Sequence, residues 1–134
     1  YETRSSAGAV VHLHSCHSVA LSLMPDVDEN DFLPHLTPYS IMKLGRVKLL
    51  PFYLPGDPEM GNAVRGLSGK RSAVMLANHG PVVAAKDIEA ACNAIEELED
   101  TARLAMITRG MNAKHLTSSQ VKSIVKKFDV EWKS

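Results

Sequence analysis

Cysteine and long apolar runs are scarce in this sequence. Its two cysteines, Cys16 and Cys92, form no Cys-x-x-Cys pair and are too few for a disulfide framework. We therefore expect reduced thiols, with Cys92 filling the core from a helix. No apolar run approaches the ~20 residues that span a bilayer, and no secretory signal is visible. These absences predict a cytoplasmic protein.

An excess of charge of either sign is also missing. Lys plus Arg and Asp plus Glu each number 15, so electrostatics favours neither nucleic acid nor a membrane as a partner. The sequence has no internal repeat and no low-complexity tract. Its 134 residues can bury a core, and we expect a single domain over residues 1–134. The chain begins with Tyr1 instead of Met, and we expect that residue 1 is not the native start.

The segment 9–14 is the first part of the sequence that indicates a possible functional site. Two valines, which favour strands, lead into His12-Leu13-His14. Because side chains alternate along a strand, His12 and His14 share one face. Two imidazoles on one face can bind a divalent cation such as Zn²⁺. Two polar residues on a half-exposed strand explain the pair equally well, so the pair alone decides nothing.

A third histidine lies at a predicted hairpin bend. The segment 72–77 is typical of a buried strand, residues 78–81 break it, and extended structure resumes after them. Three imidazoles on a rigid sheet, with a fourth position open, are typical of a catalytic zinc site, whereas a structural site more often uses cysteines. We therefore predict a metal site formed by His12, His14 and His79.

The segments between the histidines predict short elements and ordered loops. Residues 15–24 form a short helix that Ser15 caps and Pro25 ends. Two prolines within five residues exclude a helix over 32–39, and a strand is expected at 47–50.

Two further helices have clear start signals. Asp57 followed by Pro58 opens a helix that ends near Gly69. A capping-box pattern at 117–120 opens the last helix. The residues of this last helix expected to point inward are Val121, Ile124, Val125 and Phe128. It packs either on its own domain or on a neighbouring subunit.

The longest helix is predicted from about residue 88 to 109, with Asp87 as its cap and Gly110 at its end. Its apolar stripe comprises Ile88, Ala91, Cys92, Ile95, Leu98, Ala102, Ala105 and Met106. The opposite face is acidic and expected to be solvated, with Glu99 and Arg103 as an i,i+4 pair.

Two other histidines, His17 and His35, are not among the predicted metal ligands. His17 lies in the first turn of the helix after the metal pair, and we expect it to bond to backbone or water, with a contact to substrate as the alternative. His35 follows Pro34 in a loop, and we expect it at the surface.

The sequence around the metal-site histidines resembles the class II aldolase/adducin family. The resemblance rests on Ala-Val-Val-His-Leu-His-Ser at 9–15, the small-residue helix after it and Leu-Ala-Asn-His-Gly at 76–80. It extends from Tyr1 to about Trp132. Within the family the chain is most similar to the 3-oxo-tetronate 4-phosphate decarboxylases, since sugar-phosphate aldolases usually have a second histidine where this chain has Asn78. Four segments carry this narrower resemblance: 12–21, 37–39, 55–58 and 78–83.

The resemblance implies an α/β fold with three layers, α/β/α, around a mainly antiparallel sheet. It implies Zn²⁺, or another divalent transition metal, held by His12, His14 and His79, and a homotetramer with active sites where subunits meet. In the family, the phosphate-binding loops and a further catalytic residue precede the His-x-His strand. We therefore expect residues 1–134 to be the C-terminal portion of such a domain, with the N-terminal part absent.

The resemblance also implies a reaction. A 3-oxo-tetronate 4-phosphate would lose CO₂ to give a triose phosphate, dihydroxyacetone phosphate, in carbohydrate catabolism. The metal would take up the negative charge of the enediolate left behind. Tyr39 is the candidate proton donor, because related aldolases use a tyrosine in the corresponding loop. The alternative for Tyr39 is a packed loop residue.

Three other functions remain open at this stage. The first is a class II sugar-phosphate aldolase or epimerase, since retro-aldol cleavage passes through the same enediolate. The second is a non-catalytic, adducin-like binding domain that has lost its metal, which the three intact histidines argue against. The third is a protein with a purely structural zinc ion.

Overall fold

A four-stranded sheet forms the centre of the computed structural model, which describes residue 4 and residues 6–132. Its strands are β1 (Ala9–His12), β2 (Lys48–Leu50), β3 (Ala73–Leu76) and β4 (Gly80–Ala85), in the spatial order β1-β4-β3-β2. β4 pairs antiparallel with both β1 and β3, while β2 pairs parallel with β3. The sheet is therefore mainly antiparallel, as predicted.

Helices pack on both faces of this sheet. They are α1 (Cys16–Ser22), α2 (Pro38–Leu44), α3 (Pro58–Leu67), α4 (Ile88–Thr108) and α5 (Ser118–Lys127). Successive residues of β3 point to opposite faces. Ala73 and Met75 join the cluster that includes residues of α1 and α4, whereas Val74 and Leu76 pack against α3. The result is three layers, α/β/α, which confirms the predicted fold class.

The larger apolar cluster lies between the sheet and α4. Met75 and Leu98 have no exposed surface, and burying a side chain of this size contributes about 1.5–3 kcal/mol. The buried members of the cluster are Leu21, Phe32, Leu33, Leu44, Val47, Ala73, Met75, Val83, Ala94, Ile95, Leu98 and Ala102. This core holds β3, β4 and the hairpin between them in one rigid unit.

The helix α3 forms as its start signals predict. The Asp57 side chain accepts a hydrogen bond from the Glu59 backbone N–H at 2.9 Å, and Pro58 occupies the first turn. Its apolar face, Met60, Ala63, Val64 and Leu67, packs against Leu50, Val74 and Leu76 on the second face of the sheet.

The prediction that prolines exclude a helix over 32–39 is wrong for residues 38 and 39. α2 begins at Pro38, and Thr37 precedes it with extended backbone at φ −135°. A proline in the first turn costs nothing, because its missing N–H would have no partner inside the helix. The same proline therefore starts a helix instead of preventing one.

The predicted apolar stripe of α4 is too wide. The residues that α4 buries are Ala91, Ala94, Ile95, Leu98, Thr101 and Ala102. Cys92 is exposed and has a free thiol, and Ile88 is 61% exposed. Each residue turns the helix by about 100°, so Cys92 is rotated away from Ala91. The prediction that Cys92 fills the core is therefore wrong.

The C-terminal helix packs on its own domain. Its capping box is present, with Thr117 Oγ1 accepting from the Gln120 N–H at 3.1 Å. α5 contacts α2, and Val121 is buried, but Phe128 is 47% exposed, contrary to prediction. The ring of Trp132 contacts the Arg46 guanidinium at 4.9 Å and the His35 ring at 5.5 Å.

None of the helices in the described part of the chain combines the length and the apolar character that a membrane crossing requires.

Candidate metal centre

The three histidines predicted as ligands lie side by side at one end of the sheet. The Nε2 atom of His79 is 3.2 Å from Nε2 of His12 and 3.2 Å from Nε2 of His14. One ring nitrogen from each histidine lies within 4.8 Å of the other two. Residues far apart in the chain therefore come within reach of a common ion, which is the geometric condition that the predicted site requires.

The separations suit a shared metal ion better than hydrogen bonds. Zinc binds imidazole nitrogen at about 2.0–2.1 Å, so two ligands of a tetrahedral site lie about 3.3–3.4 Å apart. A ring nitrogen carries one proton or one lone pair, so Nε2 of His79 cannot form two well-aligned hydrogen bonds at once. Three neutral imidazoles are also a typical donor set for zinc. The residues present therefore fit a divalent transition metal.

His12 is oriented by the backbone of the neighbouring strand. Its Nδ1 lies 2.9 Å from the carbonyl oxygen of Pro81. A carbonyl only accepts, so Nδ1 must carry the proton and donate it. The lone pair is then on Nε2, the atom that faces His79, and the ring has the tautomer that a metal ligand needs.

His79 is held by the tight hairpin between β3 and β4. The His79 N–H donates to the Leu76 carbonyl at 3.1 Å. The bend needs a left-handed residue, and Asn78 provides it with φ 61°, a conformation that asparagine tolerates. The Asn78 N–H donates to Ser22 Oγ at 3.2 Å, which joins the bend to α1.

His14 lies on a short strap, residues 13–15, which joins β1 to α1. The Leu13 N–H donates to the Pro81 carbonyl at 3.3 Å. The strap also crosses the hairpin at Gly80, where a Cβ atom would lie 1.9 Å from the Leu13 carbonyl oxygen. Gly80 is therefore required because the strap and the hairpin touch, which brings His14 to His79.

The electrostatics of the cluster favour the neutral form of His79. Partial burial lowers the pKa of His79, and positive charge on His12 or His14 would lower it further. Neutral imidazole is the form that binds a metal.

Tyr39, the predicted proton donor, lies on α2, a helix that carries none of the three histidines. It is in the first turn of α2, and its side chain is 57% exposed. It borders a surface depression with Glu97, Asp100 and Leu104 of α4, and none of the three histidines lines that depression. Within one copy of the chain, this depression and the histidine cluster share no residue among those described.

Glu99 joins α4 to the helix that follows the strap, a contact that the sequence pattern does not predict. Its Oε2 accepts from the His17 N–H at 3.0 Å and lies 2.8 Å from His17 Nδ1. Its Oε1 accepts from the Ser18 N–H at 2.8 Å and from the Ser18 hydroxyl at 2.7 Å. The expectation of a solvated Glu99 paired with Arg103 is wrong. More than 80 residues separate the partners, so no local pattern marks the contact.

The Glu99 carboxylate is stabilised by these bonds. Burial raises the pKa of Glu99, but the hydrogen bonds from Ser18 and His17 outweigh burial and hold the pKa below its usual value. Ser15, the predicted cap of α1, makes no side-chain cap bond. Glu99 therefore supplies the cap from another element, and His17 bonds to a carboxylate instead of to backbone or water.

His35 is also less exposed than predicted. Its Nε2 lies 2.8 Å from Asp31 Oδ2, and its side chain is 28% exposed. The surface position expected for His35 is therefore wrong, since the residue is half-buried between Asp31 and Trp132.

Fold and histidine cluster together agree with the family that the sequence matches. Residues 1–106 match the Class II Aldolase and Adducin N-terminal domain, and the chain belongs to this family.

Individual relatives indicate which branch of the family the chain resembles. The chain is 39% identical over 121 residues to a 3-oxo-tetronate 4-phosphate decarboxylase from Pectobacterium atrosepticum, which covers 90% of this chain and 56% of the relative. A crystal structure of YgbL from Klebsiella pneumoniae superposes with a TM-score of 0.89 at 39% identity, covering 92% of this chain and 60% of that one. Rhamnulose-1-phosphate aldolase from Listeria monocytogenes is 25% identical over 131 residues, covering 93% of this chain and 48% of the relative.

These comparisons confirm the resemblance to the decarboxylase branch of the family. Identity is higher to the decarboxylase than to the aldolase. The chain spans about half the length of the curated relatives that it matches.

Proposed function

We propose that this chain carries the metal-binding part of a lyase that decarboxylates a 3-oxo-tetronate 4-phosphate to dihydroxyacetone phosphate and CO₂, in carbohydrate catabolism. The observation that carries the proposal is the convergence of three imidazole nitrogens. The name of relatives that are about 39% identical supports the choice of reaction.

His12, His14 and His79 would hold the ion, which we propose to be Zn²⁺ or another divalent transition metal. When bound, the ion supplies a Lewis acid that polarises the ketone oxygen and stabilises negative charge on it. The chain's own contribution is to keep three neutral nitrogens in place before the ion arrives. The Pro81 carbonyl does this for His12, and the β3–β4 hairpin does it for His79.

The reaction requires one proton to be delivered. When the bond to the carboxylate breaks, CO₂ leaves and its electron pair stays on the neighbouring carbon. We propose that the Tyr39 hydroxyl protonates this carbon and is then reprotonated from solvent.

We also propose that the protein is a homotetramer whose active sites lie between subunits. Tyr39 is exposed on α2 and borders a depression that contains none of the histidines. A phenol placed there can serve the histidine cluster of a neighbouring copy. The apposed subunits would also bury the exposed Tyr39 ring, which would exclude water from the reacting carbon.

Metal analysis and trapping of CO₂ test the proposed function. Purified protein should contain about one transition-metal ion per chain and release CO₂ from a 3-oxo-tetronate 4-phosphate, and a chelator should abolish the release. Protein without any transition metal would contradict the proposal and favour an adducin-like binding domain.

An aldolase or epimerase is the second candidate, favoured by the match to rhamnulose-1-phosphate aldolase over 93% of the chain. Retro-aldol cleavage needs the same stabilisation of negative charge on a ketone oxygen. Release of an aldehyde and a triose phosphate from a sugar phosphate, without CO₂, would favour this candidate.

A further inference from the structure

We infer that Glu99 is a positioning residue for the metal centre, which holds the imidazole of His14 in place by anchoring the start of α1. The inference rests on the proposed function, because it assumes that the three histidines bind a metal. It adds to the centre a carboxylate that contacts none of the three histidines and comes from α4.

The strap that carries His14 is fixed at both ends. At its start, the Leu13 N–H donates to the Pro81 carbonyl. At its end, α1 begins at Cys16, and the next two residues, His17 and Ser18, give their backbone N–H groups to Glu99. Only residues 13–15 lie between β1 and α1. A strap this short cannot shift at one end without moving the His14 ring.

Glu99 anchors the α1 end through both oxygens of its carboxylate. Its two oxygens accept four hydrogen bonds from His17 and Ser18, at 2.7–3.0 Å. Bonds to a carboxylate are about twice as strong as those between neutral groups. The Ser18 side chain is fully buried. If the carboxylate is removed, no water molecule can replace it as the hydrogen-bond partner of the Ser18 hydroxyl.

The anchor is rigid because of where Glu99 lies on α4. Its neighbour Leu98 has no exposed surface, and α4 packs along α1 and the sheet. Glu99 therefore fixes the strap relative to the core. His12 and His79 are held by the hairpin, through Pro81 and Leu76. The bend of the hairpin bonds to α1 at Ser22, the last residue of that helix and away from the end that Glu99 holds, so loss of Glu99 should act mainly on His14.

Co²⁺ titration of the purified protein tests this inference. Co²⁺ substitutes for zinc in imidazole sites, and its visible absorption reports the number and geometry of the ligands. The Glu99→Gln variant keeps the side-chain length but has only one accepting oxygen. We expect its Co²⁺ dissociation constant to rise about 10–100-fold, as for other residues that orient metal ligands, with a changed visible spectrum.

The matched control is Glu96→Gln, an exposed carboxyl one turn earlier on α4. It should bind Co²⁺ with the affinity and spectrum of the unmodified protein. The melting temperature of each metal-free variant separates positioning from general stability. A lower melting temperature for Glu99→Gln with unchanged Co²⁺ affinity and spectrum would overturn the inference and leave the proposed function standing.

The milder Ser18→Ala variant serves if Glu99→Gln does not fold, because it removes only one of the four donors. It should weaken Co²⁺ binding several-fold, and unchanged binding would count against Glu99 as a positioning residue. If the unmodified protein and Glu96→Gln both fail to bind Co²⁺, the proposed metal site itself is wrong, and the inference fails with it.

Discussion

Each histidine of the cluster is held by a different feature of the backbone around it. His12 is oriented by a carbonyl on β4, His79 by a three-residue bend, and His14 by the strap against Gly80. None of the three contributes to the large apolar cluster. The proposed metal site therefore lies outside the buried apolar cluster, and we expect the fold not to depend on the metal.

Replacing one ligand should therefore remove the metal without unfolding the chain. We expect His14→Ala to lose the bound metal while its far-ultraviolet circular dichroism stays that of the unmodified protein. Global unfolding of this variant would show instead that the metal is structural.

Gly80 is the residue at which the site tolerates no side chain. A Cβ in Gly80→Ala would lie 1.9 Å from the Leu13 carbonyl oxygen. We expect the free energy of unfolding to fall by roughly 1–3 kcal/mol, because the strap must move, and metal affinity to fall with it.

Gly61→Ala is the control, since a Cβ there meets nothing within 4 Å. Because Gly61 is inside α3, the control should gain about 0.5–1 kcal/mol. Equal stability of the two variants in urea titrations would contradict this prediction.

Tyr39 should act on turnover more than on binding. If its hydroxyl donates the proton, Tyr39→Phe should lower kcat by about 100-fold or more while KM changes little. Tyr53→Phe is a suitable control because Tyr53 packs against the cluster of Leu50, Val74 and Leu76 on the second face of the sheet. A kcat unchanged by Tyr39→Phe would exclude Tyr39 as the proton donor.

At the scale of elements, the longest helix connects the core to the helix that follows the candidate metal centre. α4 buries one stripe against the sheet and presents Glu99 to the first turn of α1. The seven-residue α1 is too short to be stable alone, so the carboxylate from α4 is part of what maintains it. The same four bonds make the stability of this region depend on pH.

The pH dependence follows from the lowered pKa of Glu99. A carboxyl with a lower pKa in the folded state stabilises the fold fully above its unfolded value, which is 4.5. That stabilisation is lost as the pH falls through the still lower folded value. The difference in melting temperature between the unmodified protein and Glu99→Gln should therefore be largest near neutral pH and shrink in acid. A difference that stays constant with pH would contradict this account.

At the scale of the whole molecule, we propose that the active site is shared between copies of the chain. The depression beside Tyr39 is lined by none of the three histidines of the cluster. A closed homotetramer would bring Tyr39 of one copy to the histidines of the next by symmetry.

Mixing two inactive variants tests this arrangement. His14→Ala lacks a ligand and Tyr39→Phe lacks the proposed proton donor. If sites form between subunits, random reassembly of an equal mixture should restore about one quarter of the normal activity, since each half of a site is intact half of the time. If both residues act within one subunit, every subunit in the mixture keeps a defect and no activity returns.

Much of this protein follows from patterns that act over a few residues. Caps at Asp57, Asp87 and Thr117 mark three helix starts, and a short break between two apolar runs marks the hairpin that carries His79. Alternation along β1 identifies His12 and His14 as a pair. These features can be predicted from the sequence because the interactions that produce them join residues close together in the chain.

Other features were decided only when distant parts of the chain packed together. The sequence contains Glu99, Cys92 and Tyr39 but does not indicate which neighbour each will meet. Glu99 meets α1 across more than 80 residues, Cys92 faces solvent, and Tyr39 borders a depression with residues of α4. These outcomes depend on how α4 and α2 pack in the folded domain, and a local pattern carries no information about contacts between segments so far apart in the chain.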